Sequence, residues 1–241
     1  MSDHPVSVPG VFVTGTGTEV GKTVVAAALA RTAAADGHRV SVFKPAVTGL
    51  DDHGDPPTRS RAQTGHSDEP DHALLRRAAG SAQPDEEIAP YRFGPAVSPH
   101  LGAELTGGEV DPRRLLAAAR DAARDSDMLV VEGVGGFLVP LTIGYLVRDF
   151  ARDLGLPVVI AAPPGLGTIN HTLLTIEAVR AVGLEVRGVV LTPWPERPGA
   201  VERSNRTAIE RLGDVRVDAL PRLDLERPPT WPRLTLEESR S

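Results

Sequence analysis

The chain has 241 residues, 41% hydrophobic and 24% charged, a make-up that suits one globular domain better than two. Its net charge of −6 speaks against a nucleic-acid surface and an anionic membrane partner, and no apolar run approaches the ~18 residues of a membrane span. With no cysteine there is no disulfide framework, thiolate metal site or cysteine nucleophile, and the cytoplasm is the expected compartment.

The first ten residues carry two prolines and read as a loose segment. Val11-Phe12-Val13 is an apolar run that ends in Gly15; the Gly/Thr-rich stretch Thr14 to Gly21 follows, and then a helical run from Lys22 to Ala35. That order is strand, loop, helix. Arg39 to Val47 reads as the next strand, and the polar stretch from Gly49 to Pro70 as a mobile loop. Helices are expected over Asp71 to Ala79 and, opened by Asp-Pro, over Asp111 to Arg124. Met128 to Val131 is a short buried strand that runs into Glu132-Gly133.

Beyond it, Tyr145 to Leu154 reads as helix, Pro157 to Ala162 as strand, Thr168 to Val182 as helix, Val186 to Leu191 as strand and Gly199 to Leu212 as helix. Val215 to Leu220 closes the series as a further strand. Continuously apolar strands that alternate with helices imply a mostly parallel sheet covered on both faces, with ligands at the carboxyl ends of the strands. Residues 1–225 form one α/β domain on this reading. Residues 226–241 are a Pro- and charge-rich tail whose composition allows disorder.

The only lysines are Lys22 and Lys44; the other basic residues besides histidine are arginine. A general arginine bias explains the surface but not these two positions, where a compact ammonium can do what a planar guanidinium cannot. Lys22 lies in Gly15-Thr-Gly-Thr-Glu-Val-Gly-Lys-Thr, a phosphate loop one residue longer than the common form. In such a loop the backbone N–H groups of Gly17, Thr18, Glu19, Val20, Gly21 and Val24 face a nucleotide's phosphates. Lys22 reaches the β- and γ-phosphates, and the Thr23 hydroxyl ligates Mg²⁺. Glu132 ends an apolar strand, where a carboxylate needs a cationic partner.

The loop closely resembles that of the dethiobiotin synthetases. The resemblance continues at Phe43-Lys44-Pro45 with Thr48-Gly49, at Ser98-Pro99-His100, at Glu132-Gly133-Val134-Gly135-Gly136 and at Gly167-Thr168-Ile169-Asn170-His171, in the family's order. It implies a single-domain P-loop fold and an ATP-dependent cyclo-ligase, in which 7,8-diaminononanoate and CO₂ form a carbamate. The γ-phosphate converts the carbamate to a carbamic–phosphoric anhydride, which closes to dethiobiotin with release of ADP and phosphate. Such chemistry asks for positioning, charge neutralisation and exclusion of water, and no covalent nucleophile is required.

By the same resemblance Lys22, Lys44 and Thr18 are catalytic, and Thr23, Glu132 and Asp71 hold Mg²⁺. For the second carboxylate Asp68 and Glu69 compete with Asp71, whose other role would be a helix cap. Thr18, Lys44, Thr48, Ser98 and Gly135 would meet the diamine or its carbamate. Gly167, Thr168, Ile169 and Asn170 open a helix whose free N–H groups would bind the substrate's distal carboxylate, from the neighbouring subunit of a homodimer.

Departures are also legible. Where many members place an Asn that reads the adenine, this chain has Thr192-Pro193-Trp194-Pro195, so discrimination is expected to be poor and CTP or GTP could replace ATP. Pro164-Gly165 stands where some members have a lysine before the carboxylate-binding helix. The competing reading is a nucleotide-switch ATPase of the chromosome-partitioning type. Its loop has a second lysine five residues before the invariant one, and Gly17 occupies that position here. An amidotransferase-type synthetase would need a second domain with a catalytic cysteine. A small-molecule kinase would need an arginine lid, for which Arg59 and Arg61 are the candidates.

Overall fold

The computed structural model describes residue 6 and residues 8–51 and 69–235. The mobile-loop expectation for Gly49 to Pro70 therefore falls largely outside the described residues, as do Asp68, Arg59 and Arg61.

Six strands form one all-parallel sheet: β1 (Gly10–Gly15), β2 (Val40–Phe43), β5 (Met128–Glu132), β8 (Val158–Ala162), β9 (Val186–Trp194) and β10 (Val217–Pro221), in the order β10-β9-β8-β1-β5-β2. The order reverses around β1, which pairs with β5 on one side and β8 on the other. Ligands of open α/β sheets collect at such a switch point, here directly above the phosphate loop.

Both faces are covered. Val11 and Val13 point to α1 (Lys22–Ala35), whose Val25, Ala26, Ala27 and Leu29 are buried. Phe12, between them, points the other way and meets Phe150 of α6 (Val147–Leu154) edge to face at 6.1 Å. α2 (Asp71–Ala79) lies beside α1. α5 (Pro112–Ala123), α7 (Thr168–Arg180) and α8 (Ala200–Gly213) contribute to the opposite core through Leu115, Ile176 and Ile209. The short helices α3 (Asp85–Ile88) and α4 (Pro99–Leu105) complete the helical set among the described residues.

Two expectations change. The strand read over Arg39 to Val47 is broken at Lys44-Pro45, because Pro45 has no N–H to continue the ladder. Lys44 N donates instead to Ile88 O at 2.8 Å, and β3 (Ala46–Val47) pairs with β4 (Tyr91–Arg92) in a separate two-stranded ribbon. The helix read from Tyr145 starts at Val147, because the Asp149 carboxylate accepts the Leu146 N–H at 2.9 Å and caps it there. Tyr145 and Leu146 form β7, the second arm of a hairpin with β6 (Pro140–Thr142).

Of the tail, residues 226–235 are described. Leu223, Leu225, Trp231 and Leu234 are buried on the α1 side of the sheet, Trp231 Nε1 donates to Asp224 O, and Leu234 N donates to Thr32 Oγ1 of α1. Two of these four, Trp231 and Leu234, lie in the tail, where prolines and charges hid them.

Candidate functional site

The loop after β1 is built by two special conformations. Gly21 has φ +93°, a left-handed value that leads into α1, and a Cβ there would lie 2.5 Å from Thr192 Cγ2. Glu19 also has a positive φ, +58°. Lys22 folds back so that Nζ donates to Gly17 O at 2.7 Å, and burial lowers its pKa to about 8. Gly136 approaches the loop closely enough that its Cβ would meet Gly15 O and Gly17 Cα at 3.8 Å. Gly135, with φ +62°, makes the turn that allows this approach. Thr18 is exposed on the loop.

Below the loop, four elements converge. Glu132, at the end of β5, is fully buried and its Oε1 accepts from both Thr23 Oγ1 at 2.9 Å and Lys44 Nζ at 2.6 Å. Lys44, 4% exposed at the end of β2, also contacts Asp71 Oδ2 at 2.8 Å. Burial pushes the Glu132 carboxyl above the ordinary range and Lys44 partly offsets it. Burial opposes the charge on Lys44 as well, but Asp71 and Glu132 outweigh it and hold the ammonium charged. The 2.6 Å contact is that of a charge-assisted bond between ammonium and carboxylate.

Of the candidates for the second carboxylate, Asp71 and Glu69 are among the described residues and Asp68 is not. Asp71 reaches Lys44, whereas Glu69 turns away and pairs with Arg77 Nη2 at 2.5 Å. The donors that result are a hydroxyl and two carboxylates, and Glu132 Oε2 is buried without a hydrogen-bond partner among the described residues. That set of hard oxygens fits Mg²⁺, which takes few protein carboxylates and fills the rest of its octahedron with phosphate and water.

Other expected residues lie around this centre. Thr48 sits on a strand-like extension of β3, where Val47 O and the Gly49 N–H bond to Phe93 and Pro95. Ser98 lies three residues further on at the start of α4, its hydroxyl 2.9 Å from His100 Nδ1. Thr192, buried in β9, packs against Gly21 and borders a small cleft. Glu19, Val20, Pro163, Leu223 and Leu225 also line this cleft, so the strand ends of β8, β9 and β10 and the segment just after β10 border it. Sequence reading missed Pro163, Leu223 and Leu225; the rule that ligands gather at the carboxyl ends of parallel strands could have found them.

The start of α7 stands apart. Gly167, with φ +90°, precedes it, Thr168 is buried with its hydroxyl 3.4 Å from that of Thr172, Ile169 is half-buried and Asn170 exposed. No hydrogen bond links this segment to the Lys44 cluster among the described residues.

Comparison with known proteins supplies the family. A family model described as an AAA domain matches residues 9–229. The ATP-dependent dethiobiotin synthetase of Anaeromyxobacter dehalogenans is 46% identical over 184 residues, 76% of this chain and 75% of that protein. The enzyme of the same name from Pseudomonas aeruginosa is 36% identical over 221 residues, 91% of this chain and 92% of that protein. The chain belongs to the ATP-dependent dethiobiotin synthetase family. The Bacillus subtilis member is 35% identical over 86% of this chain and 84% of its own length.

Among solved structures, the Pyrococcus furiosus cell division ATPase MinD superposes with a TM-score of 0.51 at 17% identity, covering 88% of this chain and 83% of that one. The Pyrococcus horikoshii septum site-determining protein MinD, complexed with Mg-ADP, gives 0.53 at 15% identity over 89% and 81%. These likenesses concern the fold alone, a single-domain α/β P-loop architecture. Among the described residues no helix is long and apolar enough to cross a membrane.

Proposed function

We infer that the chain makes dethiobiotin from 7,8-diaminononanoate and CO₂ with ATP, and that the cluster of Thr23, Lys44, Asp71 and Glu132 beneath the phosphate loop is its reaction centre. The single observation that carries this reading is that convergence: four side chains from four elements, far apart in sequence, meet around the buried Lys44 and Glu132.

The chemistry follows from charge. One amine of the diamine adds to CO₂ and loses a proton, giving a carbamate. A carbamate oxygen attacks the γ-phosphorus and ADP leaves; the second amine then attacks the carbamate carbon and phosphate departs. Lys22 and the loop N–H groups of Gly17 to Val24 would hold the triphosphate, and Lys44 would neutralise the carbamate and the transferring phosphoryl group. Thr23, Asp71 and Glu132 would hold Mg²⁺, which when bound neutralises charge on the phosphates. Thr18, Thr48, Ser98 and Gly135 border the space for the diamine. Two anions are thus held together at a buried site, which excludes water from an anhydride that water would hydrolyse.

The base belongs in the cleft beside Thr192. With a threonine hydroxyl in place of an amide, CTP and GTP are expected to be accepted beside ATP. The diamine's distal carboxylate belongs at Gly167, Thr168, Ile169 and Asn170 of a neighbouring subunit. In support, the turn beside them shows Leu166 98% exposed and the hairpin tip Ile143 78% exposed, apolar surface that a second copy would cover. On this reading the protein is a cytoplasmic homodimer.

The test is an assay with 7,8-diaminononanoate, bicarbonate, Mg²⁺ and each nucleoside triphosphate in turn, following dethiobiotin by mass. Product only with all components present is the expected result. Nucleotide hydrolysis indifferent to the diamine, with no product, would leave a switch ATPase instead.

A further inference from the structure

The turn of residues 163–167 joins β8 to α7, and therefore lies between the base cleft, which Pro163 lines, and the helix start that would receive the carboxylate. It has little of its own to hold it. Leu166 is almost wholly exposed, and a Cβ added at Gly165 or Gly167 would meet nothing within 4 Å. The backbone bonds from Thr168 to Gly165 and from His171 to Gly167 are local and move with the helix.

One side chain reaches the turn from elsewhere. Asn205 of α8 is 7% exposed, and its Nδ2 donates to Pro164 O and to Gly165 O, each at 3.0 Å. A primary amide has two N–H donors, and both are spent on successive carbonyls of this turn. Among the described residues no other hydrogen bond enters the turn from outside α7. The helix that carries the amide is itself fixed. A Cβ at Gly213 would lie 2.8 Å from Ile176 Cδ1, so α8 and α7 touch closely there, and Arg180 Nη2 donates to Asp214 O at 3.0 Å. α8 thus acts as a splint, locked to α7 at one end and gripping its entry turn at the other.

We propose that Asn205 is a positioning residue that sets the α7 helix start for the diamine's carboxylate, a role that rests on the site assignment above. It touches no reacting atom. Its effect should fall on diamine binding and leave the phosphate loop and the Lys44 cluster unaltered.

The test uses Asn205→Leu, which keeps the volume without the donors, and Asn205→Asp, which keeps the shape but sets a carboxylate oxygen against the two carbonyls. Hydrogen exchange by mass spectrometry reads the turn directly, and steady-state kinetics read its consequence. Both variants should exchange the amides of residues 165–171 faster than the parent does. Loss of two hydrogen bonds should raise the diamine KM about tenfold while kcat and the nucleotide KM stay within about twofold. Unchanged exchange overturns the proposal. So does faster exchange with an unchanged diamine KM, since Asn205 would then be only a structural brace. If Leu lowers stability too far for kinetics, Asp and the exchange readout decide. A parent protein that forms no diamine-dependent product would remove the underlying site assignment, a failure visible before any variant is made.

Discussion

The Lys44 cluster and the turn before α7 are held in opposite ways. In the first, side chains from the phosphate loop's helix, β2, α2 and β5 meet within hydrogen-bond distance, and Glu132 and Lys44 are sealed from water. In the second, one amide grips two carbonyls and a leucine stands in solvent. Buried charges force the first arrangement, since each needs a partner to offset its lost hydration, and the cluster is complete within one chain. The turn carries no charge and is laid out as surface. On the proposed function a second subunit would complete it.

The largest expected effects break the cluster. Lys22→Ala and Lys44→Ala should each lower kcat/KM by roughly 10³-fold or more, since each removes a cation from the transferring phosphoryl group. Their stabilities should differ. Lys44→Ala leaves Glu132 buried without its ammonium and should cost about 3 kcal/mol in denaturant unfolding. Lys22 bonds only a loop carbonyl, and its loss should be nearly neutral for stability. Near-parent activity in either variant would refute the assigned roles.

Gly21→Ala probes the seam between loop and base cleft. At φ +93° with Thr192 Cγ2 at 2.5 Å, the added methyl should cost about 1–3 kcal/mol and weaken nucleotide binding roughly tenfold in calorimetry. Unaltered affinity would mean that Thr192 yields easily and does not shape the cleft.

Leu166→Asp tests the turn as an interface. Loss of one buried leucine is worth about 2 kcal/mol, a dimer dissociation constant raised roughly thirtyfold in sedimentation, with nucleotide binding by the phosphate loop preserved. Self-association indifferent to the change would place the contact elsewhere.

The smallest effect is a control outside both regions. Arg39 and Asp127 pair on the surface at 2.8 Å, and this bond lowers the Asp127 pKa from 3.8 to about 2. A depressed carboxyl pKa contributes stability above its unfolded value, so the contribution is present above about pH 4 and is lost as pH falls towards 2. Asp127→Asn should remove that slope from acid unfolding curves and leave turnover unchanged; an identical slope would show that the pair contributes nothing.

Much of this was readable in the chain. The apolar runs at β1, β5, β8 and β9 and the Gly-Lys-Thr that opens α1 placed the sheet and the phosphate loop, because buried parallel strands and phosphate cradles leave strong local patterns. Lys44 and Glu132 stood out as a rare lysine and a carboxylate at strand ends. Other features left no local trace. The hairpin of β6 and β7 is too short to show alternation, and the buried Leu223, Leu225, Trp231 and Leu234 after β10 are masked by prolines and charges. Asn205 sits in an ordinary polar stretch of helix.

By itself, then, the sequence determined the parallel α/β architecture, the nucleotide-binding loop and the set of groups from which a reaction centre could be drawn. These depend on spacing along the chain, within reach of a few residues. Only the tertiary structure decided that Asp71 and not Glu69 meets Lys44, that Leu223 and Leu225 line the cleft beside Thr192, and that Asn205 holds a turn 40 residues away. Those pairings depend on which strand ends the crossovers bring together, and no local pattern in the sequence encodes that distance.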